Sequence, residues 1–307
     1  MTNVMLRASA LIMIVLFGYL LKRKNVVSMS AVPILSTLVI NITLPGAIVT
    51  SYSKLNVEPS MITLVFIGLL CNVIMVFIGY LLAIRKSKER KAFNMINLAG
   101  YNIGSFTLPY VQNFFGPECI LSVCLFDTGN AFMGAGTTYS LAAAVAGREK
   151  PGIKVLLKNI FTSVPILFYV GMTTFSVLHI QLPKFVLSVA EVAGAATPFL
   201  SMFIIGVAFE LHLSKSQLWR ITKLLSLRYA MSAIFAVGFY FLLPFSEEIR
   251  QGLVLVCFSP LSALCPIFTA KLDGDTNLSG SLNSISIVVG LVLMTGIIFF
   301  MQRGALP

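Results

Sequence analysis

Charge is what this sequence has least of. Only 11% of its 307 residues are Asp, Glu, Lys or Arg, against roughly 25% in an ordinary soluble domain. That scarcity, with 57% hydrophobic residues and a mean hydropathy of +0.93, excludes a soluble globular domain and leaves an integral membrane protein. There is no long linker and no low-complexity stretch, so no soluble module is expected. No HExxH, no GxGD pair and no pair of aspartate-rich prenyl-diphosphate motifs occurs, which argues against the enzymes those motifs mark. The two histidines, His179 and His212, fall at the ends of apolar runs, where neither serves a buried serine nucleophile. Five cysteines (Cys71, Cys119, Cys124, Cys257, Cys265) have no metal-like spacing and read as small free hydrophobes. No metal site and no cofactor is expected.

What charge there is lies in short basic clusters between apolar runs. The net charge of +11 therefore signals membrane topology, not nucleic-acid binding. Runs of about 17–25 residues suffice to cross a bilayer, and ten are present: Thr2–Leu21, Met29–Ser53, Pro59–Ile84, Phe93–Phe115, Glu118–Ala146, Val155–Leu178, Pro183–Phe209, Leu218–Leu243, Glu248–Ala270 and Leu278–Gln302. Lys22, Arg23 and Lys24 follow the first run and no small-residue cleavage site appears, so this run is expected to stay as a span.

The segments after odd-numbered spans carry most of the Lys and Arg: positions 22–24, 85–91, 148–158, Lys271, and a group of Lys215, Arg220, Lys223 and Arg228. The opposite side keeps only Arg7, Lys54, Lys184, Arg250 and Arg303. Because cytoplasmic loops hold the excess, both termini are expected on the non-cytoplasmic side.

Ten spans divide at the basic loop into two halves of five. Residues 1–146 form the first repeat, 147–154 the connecting loop and 155–307 the second. Five is odd, so the halves enter the membrane from opposite sides and would be inverted repeats. Span four, LAGYNIGSFTLPYVQNFFG, carries Gly100, Gly104 and Pro109 where a continuous helix wants none of them. Span nine, CFSPLSALCPIF, carries Pro260 and Pro266, whose rings clash with the carbonyls of Val256 and Ser262. Freed backbone at membrane depth survives only where protein or a water-filled cavity satisfies it. Paired interruptions in two inverted halves are the best sequence pointer to a transport site.

Half-helix N-termini meeting at such a place favour an anion. Neither interrupted span has a central Lys or Arg, so backbone dipoles, amides and hydroxyls are the expected ligands. Asn102 leads, with Gly104, Ser105, Thr107, Pro109, Ser259, Pro260, Ser262 and Pro266 around it. Each hydroxyl can instead bond back to its own helix, and Asn102 can serve as an interhelical brace. Two acids lie within spans. Asp127, near mid-depth in LFDTGN with Asn130 one turn on, is the candidate for proton or ion coupling. Glu191, near the outer end of span seven, Asn41 beside Pro45, and Asn72 on span three are weaker candidates.

GYNIGSFTLP, with NITLP on span two and LFDTGN on span five, resembles the auxin efflux carrier family of permeases over the whole chain. The family often carries Arg-Gly-Asn-x-Gly ahead of Gly-x-Pro on helix four. Asn102, Gly104 and Pro109 match that pattern, while Gly100, Tyr101 and Thr107 depart from it. The resemblance implies the fold of bile-acid symporters and sodium/proton antiporters, with helices four and nine crossing. It also implies a scaffold of helices 1, 2, 6 and 7 that forms a homodimer, and a bundle of helices 3–5 and 8–10 that moves like an elevator. Its substrates would be small organic anions, such as auxin-like acids or malonate, and the short central loop suits a bacterial-type member in the cell inner membrane. A sodium- or proton-coupled carrier of the same fold is the alternative. Antiporters of this kind usually pair two acids on helix five, where this chain has Asp127 beside Thr128.

Overall fold

A computed structural model describes residues 2–53, 57–149, 151–210 and 215–302. Lys54, Lys150, His212 and Arg303, which enter the charge pattern and the histidine argument, lie outside them. The described residues are helical and include no strand. In chain order the helices are α1 (Thr2–Arg23), α2 (Ala31–Leu38), α3 (Leu44–Tyr52), α4 (Thr63–Leu82), α5 (Lys88–Leu98), α6 (Leu108–Val111), α7 (Pro117–Phe132) and α8 (Thr138–Ala146). After the central loop come α9 (Ile153–Thr162), α10 (Val164–Val177), α11 (Lys184–Ala195), α12 (Thr197–Ala208), α13 (Lys215–Leu242), α14 (Glu247–Cys257), α15 (Cys265–Lys271) and α16 (Thr276–Met301).

Local chemistry sets several of these limits. Ser87 Oγ accepts the Arg90 N–H and Asp275 Oδ1 accepts the Leu278 N–H, capping α5 and α16. Gly147, left-handed at φ +71°, closes α8. Prolines stand at the first turns of α3, α6, α7, α10, α12 and α15, where a missing N–H costs nothing. Single π-helical turns (Val39–Thr43, Ile103–Thr107, Met133–Thr137) join α2 to α3, lead into α6 and join α7 to α8.

Among the described residues, seven continuous helical stretches are long and apolar enough to cross a membrane, with α2–α3, α7–α8 and α11–α12 each counted as one, or eight if α9 and α10 count as one bent pair. The runs 93–115 and 248–270 are each divided instead. α5 and α14 have 11 residues apiece, about 16 Å of helix, half of a hydrocarbon core of about 30 Å. The sixth run is bent as well. Val155–Leu178 is not one rod: α9 meets α10 at 69°, because Pro165 has no N–H and its ring would strike the Phe161 carbonyl.

The position of Arg228 needs the larger correction. It belongs to no loop. It lies 13 residues into α13, about 20 Å along the axis, and is fully buried. Counting charges by the nearest loop misplaces it.

Outward-facing Phe66, Phe77, Val192, Leu242 and Val292 give the long helices the apolar exterior a lipid solvent requires. α1 packs on α12, α3 on α11, and α10 on α3; α4 packs on α5 and α7, and α13 on α14 and α16. α7 also packs on α14. All five cysteines are free and buried.

Candidate functional site

Between Leu98 and Ile103 the chain leaves the helix, and every backbone group freed there has a partner to find. Asn72 Oδ1 accepts the Gly100 N–H at 2.9 Å. Asn130 treats Tyr101 as a paired strand would: its Oδ1 accepts the Tyr101 N–H at 3.1 Å and its Nδ2 donates to the Tyr101 carbonyl at 2.9 Å. The Asn102 N–H donates to the Pro260 carbonyl at 3.0 Å. Tyr101 and Leu261 pair as one isolated antiparallel bridge, so the two interruptions touch, backbone to backbone. Gly100 sits at φ +77°, and a Cβ on it would come within 2.9 Å of the Ser262 side chain. Glycine is required there.

The second interruption, residues 258–264, is stitched in the same way. Ser286 Oγ accepts the Leu261 N–H at 3.0 Å, and Asn283 Nδ2 donates to the Ser262 carbonyl at 3.1 Å. Arg228 serves both breaks. Its guanidinium donates to the carbonyls of Leu98 and Gly100 on one side and Ser259 and Pro260 on the other. Its plane lies over the Tyr101 ring, 4.8 Å from the centroid.

A cavity of about 280 Å³ opens beside this crossing. Asn102, Gly104, Ser105 and Ser262 line it, together with Asp127 and Asn130. The Asn102 side chain makes no hydrogen bond among the described residues, which leaves its amide free on the cavity wall. Asp127 is buried, with both carboxylate oxygens engaged: Oδ1 accepts from Asn130 at 2.8 Å and Oδ2 from the Tyr169 hydroxyl at 2.7 Å. A Cβ at Gly104 would lie 3.2 Å from Asp127 Oδ2, so the glycine keeps that oxygen uncrowded.

Other candidates lie elsewhere. Thr107 and Ser259 are fully buried and share a hydroxyl–hydroxyl bond of 2.5 Å that ties the second half of run four to the end of α14. Pro109, Pro260 and Pro266 do not line the cavity. The first two are buried and act through the backbone they withhold. Asn41 is exposed, with its amide on the Thr37 carbonyl. Glu191 is exposed and lines a separate cavity of about 390 Å³ with Gln112, Asn113 and Thr50.

Three participants carry weaker signals. Tyr169 reaches Asp127 from 42 residues away, a pairing no local pattern announces. Asn72 is one amide in an otherwise apolar run. Arg228 is the detectable one: a lone cation in LLSLRYAMSAIF is by default a functional residue at membrane depth.

Residues 4–153 match the family described as Membrane transport protein, and residues 197–305 match the Sodium Bile acid symporter family. An "Uncharacterized transporter" from Methanothermobacter thermautotrophicus is 24% identical over 288 residues, covering 92% of this chain and 93% of the relative. With a transporter family matched in each half, the chain is a multi-pass membrane transporter that resembles the auxin efflux carrier permeases.

Proposed function

We propose that this transporter is a secondary carrier of small organic anions, mono- or dicarboxylates of the malonate or auxin-like class, held at the crossing of the two interrupted helices. The observation that carries the proposal is the wall of the cavity. Its polar face combines the Asn102 amide with the first residues of one helical segment, Ile103 to Ser105; on the other side of the cavity the Leu264 and Cys265 N–H groups are already taken by Ser262. The first N–H groups of a helix have no intrahelical partner and bear partial positive charge, which suits a carboxylate. At about 280 Å³ the cavity stands at the bottom of the roughly 300–1,000 Å³ range of small-molecule pockets. That size favours a small acid over a steroid.

The ten-span, inverted-repeat plan is part of the proposal, with residues 1–146 and 155–307 as the repeats and 147–154 between them. Two matched patterns support it. Mid-helix polar groups of α4 and α7 stitch the first break, and those of α13 and α16 stitch the second. α4 packs on α5 and α7 as α13 packs on α14 and α16. Helices α1 to α3 and α9 to α12 would then form a fixed, dimeric scaffold against which the other helices slide, with both chain termini outside. The Asp127–Tyr169 bond joins the sliding part to the scaffold, which suits Asp127 as the proton carrier. An inside-negative potential contributes about 2.3 kcal/mol per charge per 100 mV, so it expels an uncoupled monoanion.

A cation-coupled symporter of the same fold is the second reading, favoured by the symporter match over residues 197–305. Counterflow in proteoliposomes separates them. Labelled malonate is expected to exchange against unlabelled carboxylates at the same rate in sodium and in choline buffer. Labelled sodium moving in step with malonate would favour the symporter.

A further inference from the structure

We propose that Arg228 is a built-in cation occupying the place where a carrier of this plan would hold a coupling sodium ion. This rests on the carrier proposal above for its meaning, but not for its test. α5 ends at Leu98 and α14 at Cys257; the Leu98 carbonyl closes a helix end, which bears partial negative charge, while the carbonyls of Gly100, Ser259 and Pro260 belong to the unwound chain just beyond the two helices. Carbonyls from both breaks converge on one guanidinium: Leu98 and Gly100 from the first, with Gly100 at 2.9 Å, and Ser259 and Pro260 from the second, at 3.2 and 3.4 Å.

Unwound carbonyls and half-helix C-termini are the groups that coordinate sodium in secondary transporters, and a ring of oxygen dipoles with no hydrogen to donate asks for a cation. Arg228 supplies it permanently, because a guanidinium does not deprotonate in a protein. The side chain is fully buried. It has no carboxylate within ion-pairing distance: the described ion pairs are Arg148–Asp273 and Arg220–Asp275. Its compensation is the carbonyl dipoles and the face of Tyr101.

The anion is thus balanced by a charge that travels with the moving helices and never dissociates. Sodium gradients then have nothing to act on at this place, and the empty bundle keeps its positive charge on the return stroke.

The test is cation binding to the purified full-length protein, read by labelled-sodium binding and by thermal unfolding at constant ionic strength. Wild type is expected to bind no sodium saturably, and its midpoint should not move when sodium replaces choline. Arg228→Ala should have a lowered midpoint. Either millimolar guanidinium or sodium should raise that midpoint again, and labelled sodium should bind the variant saturably. Arg228→Gln, neutral and of similar length, is the second variant and should show the same gain.

Saturable sodium binding by wild type would overturn the proposal. So would folded variants indifferent to both cations. Variants that do not fold even with either cation present would make Arg228 a brace and nothing more, and would equally sink it. Because carboxylates take no part in these readouts, a negative result leaves the anion-carrier proposal to its own experiments.

Discussion

Asn130→Leu is expected to lower stability by roughly 2–6 kcal/mol, the cost of stranding two buried backbone groups at about 1–3 kcal/mol each. The groups are the N–H and the carbonyl of Tyr101, both held by the Asn130 amide. The same substitution removes the acceptor for Asn72 Nδ2 and the donor to Asp127. Two considerations place the result toward the lower end. Interhelical polar contacts measured inside membranes average about 0.6 kcal/mol, because the unfolded chain in lipid also finds partners. Leucine, moreover, has the same number of side-chain heavy atoms and the same branching as asparagine, so it leaves no large void.

The functional loss should exceed the loss of stability. Tyr101 pairs with Leu261 where one interruption meets the other, and a slack backbone there lets the neighbouring Asn102 amide drift. Thermal unfolding and carboxylate exchange, measured on the same preparation, check both parts. A leucine variant with native midpoint and native exchange would show that this amide does not hold the break in place.

Asp127→Asn is expected to make exchange independent of pH while sparing exchange itself. In the native site both carboxylate oxygens only accept, one from Asn130 and one from Tyr169. The asparagine keeps one acceptor and turns the other oxygen into a donor. The Tyr169 hydroxyl can rotate to accept from it, so the packing cost is small. What disappears is the ability to exchange a proton and the charge-assisted bond to Tyr169, about 1.5–3 kcal/mol for hydrogen bonds to charged groups.

The location of that bond makes it consequential. Asp127 stands on α7 and Tyr169 on α10, so the contact joins two groups of helices that an elevator motion would slide past one another. The measurement is malonate counterflow in proteoliposomes across a pH series, wild type beside Asp127→Asn. A variant that keeps the wild-type pH profile would remove Asp127 from coupling.

The sequence made some of this legible and hid the rest for identifiable reasons. The glycines and prolines of runs four and nine advertise interruption because proline lacks a donor and glycine permits backbone that other residues rarely take. Gly100 at φ +77° is the plainest case. Asn102, Gly104, Ser105 and Ser262 could be named because they sit inside those interruptions. Thr107 and Ser259 have the same local signature, yet they turn toward each other instead of the cavity. Which way a hydroxyl points depends on the helix opposite, and that is tertiary information.

Arg228 was visible and misplaced. Topology counting treats every cation as a loop marker, whereas desolvated carbonyls at two helix ends gave this one a reason to be inside. Tyr169 left no trace at all, because its role exists only once α10 packs against α7. The bend at Ser163, by contrast, could have been taken from Pro165 alone.

The central claim is that the crossing holds a carboxylate through the Asn102 amide and the helix start that follows it. The most direct measurement is a thermal-shift titration of the purified protein with malonate and a monocarboxylate series, wild type against Asn102→Ala. Wild type should gain several degrees at saturation, since ligand at about 100 times its dissociation constant adds about 2.7 kcal/mol. The alanine variant, folded and with an unchanged ligand-free midpoint, should gain little or nothing. Equal shifts in the two proteins, or no shift in wild type with any small carboxylate, would contradict the account.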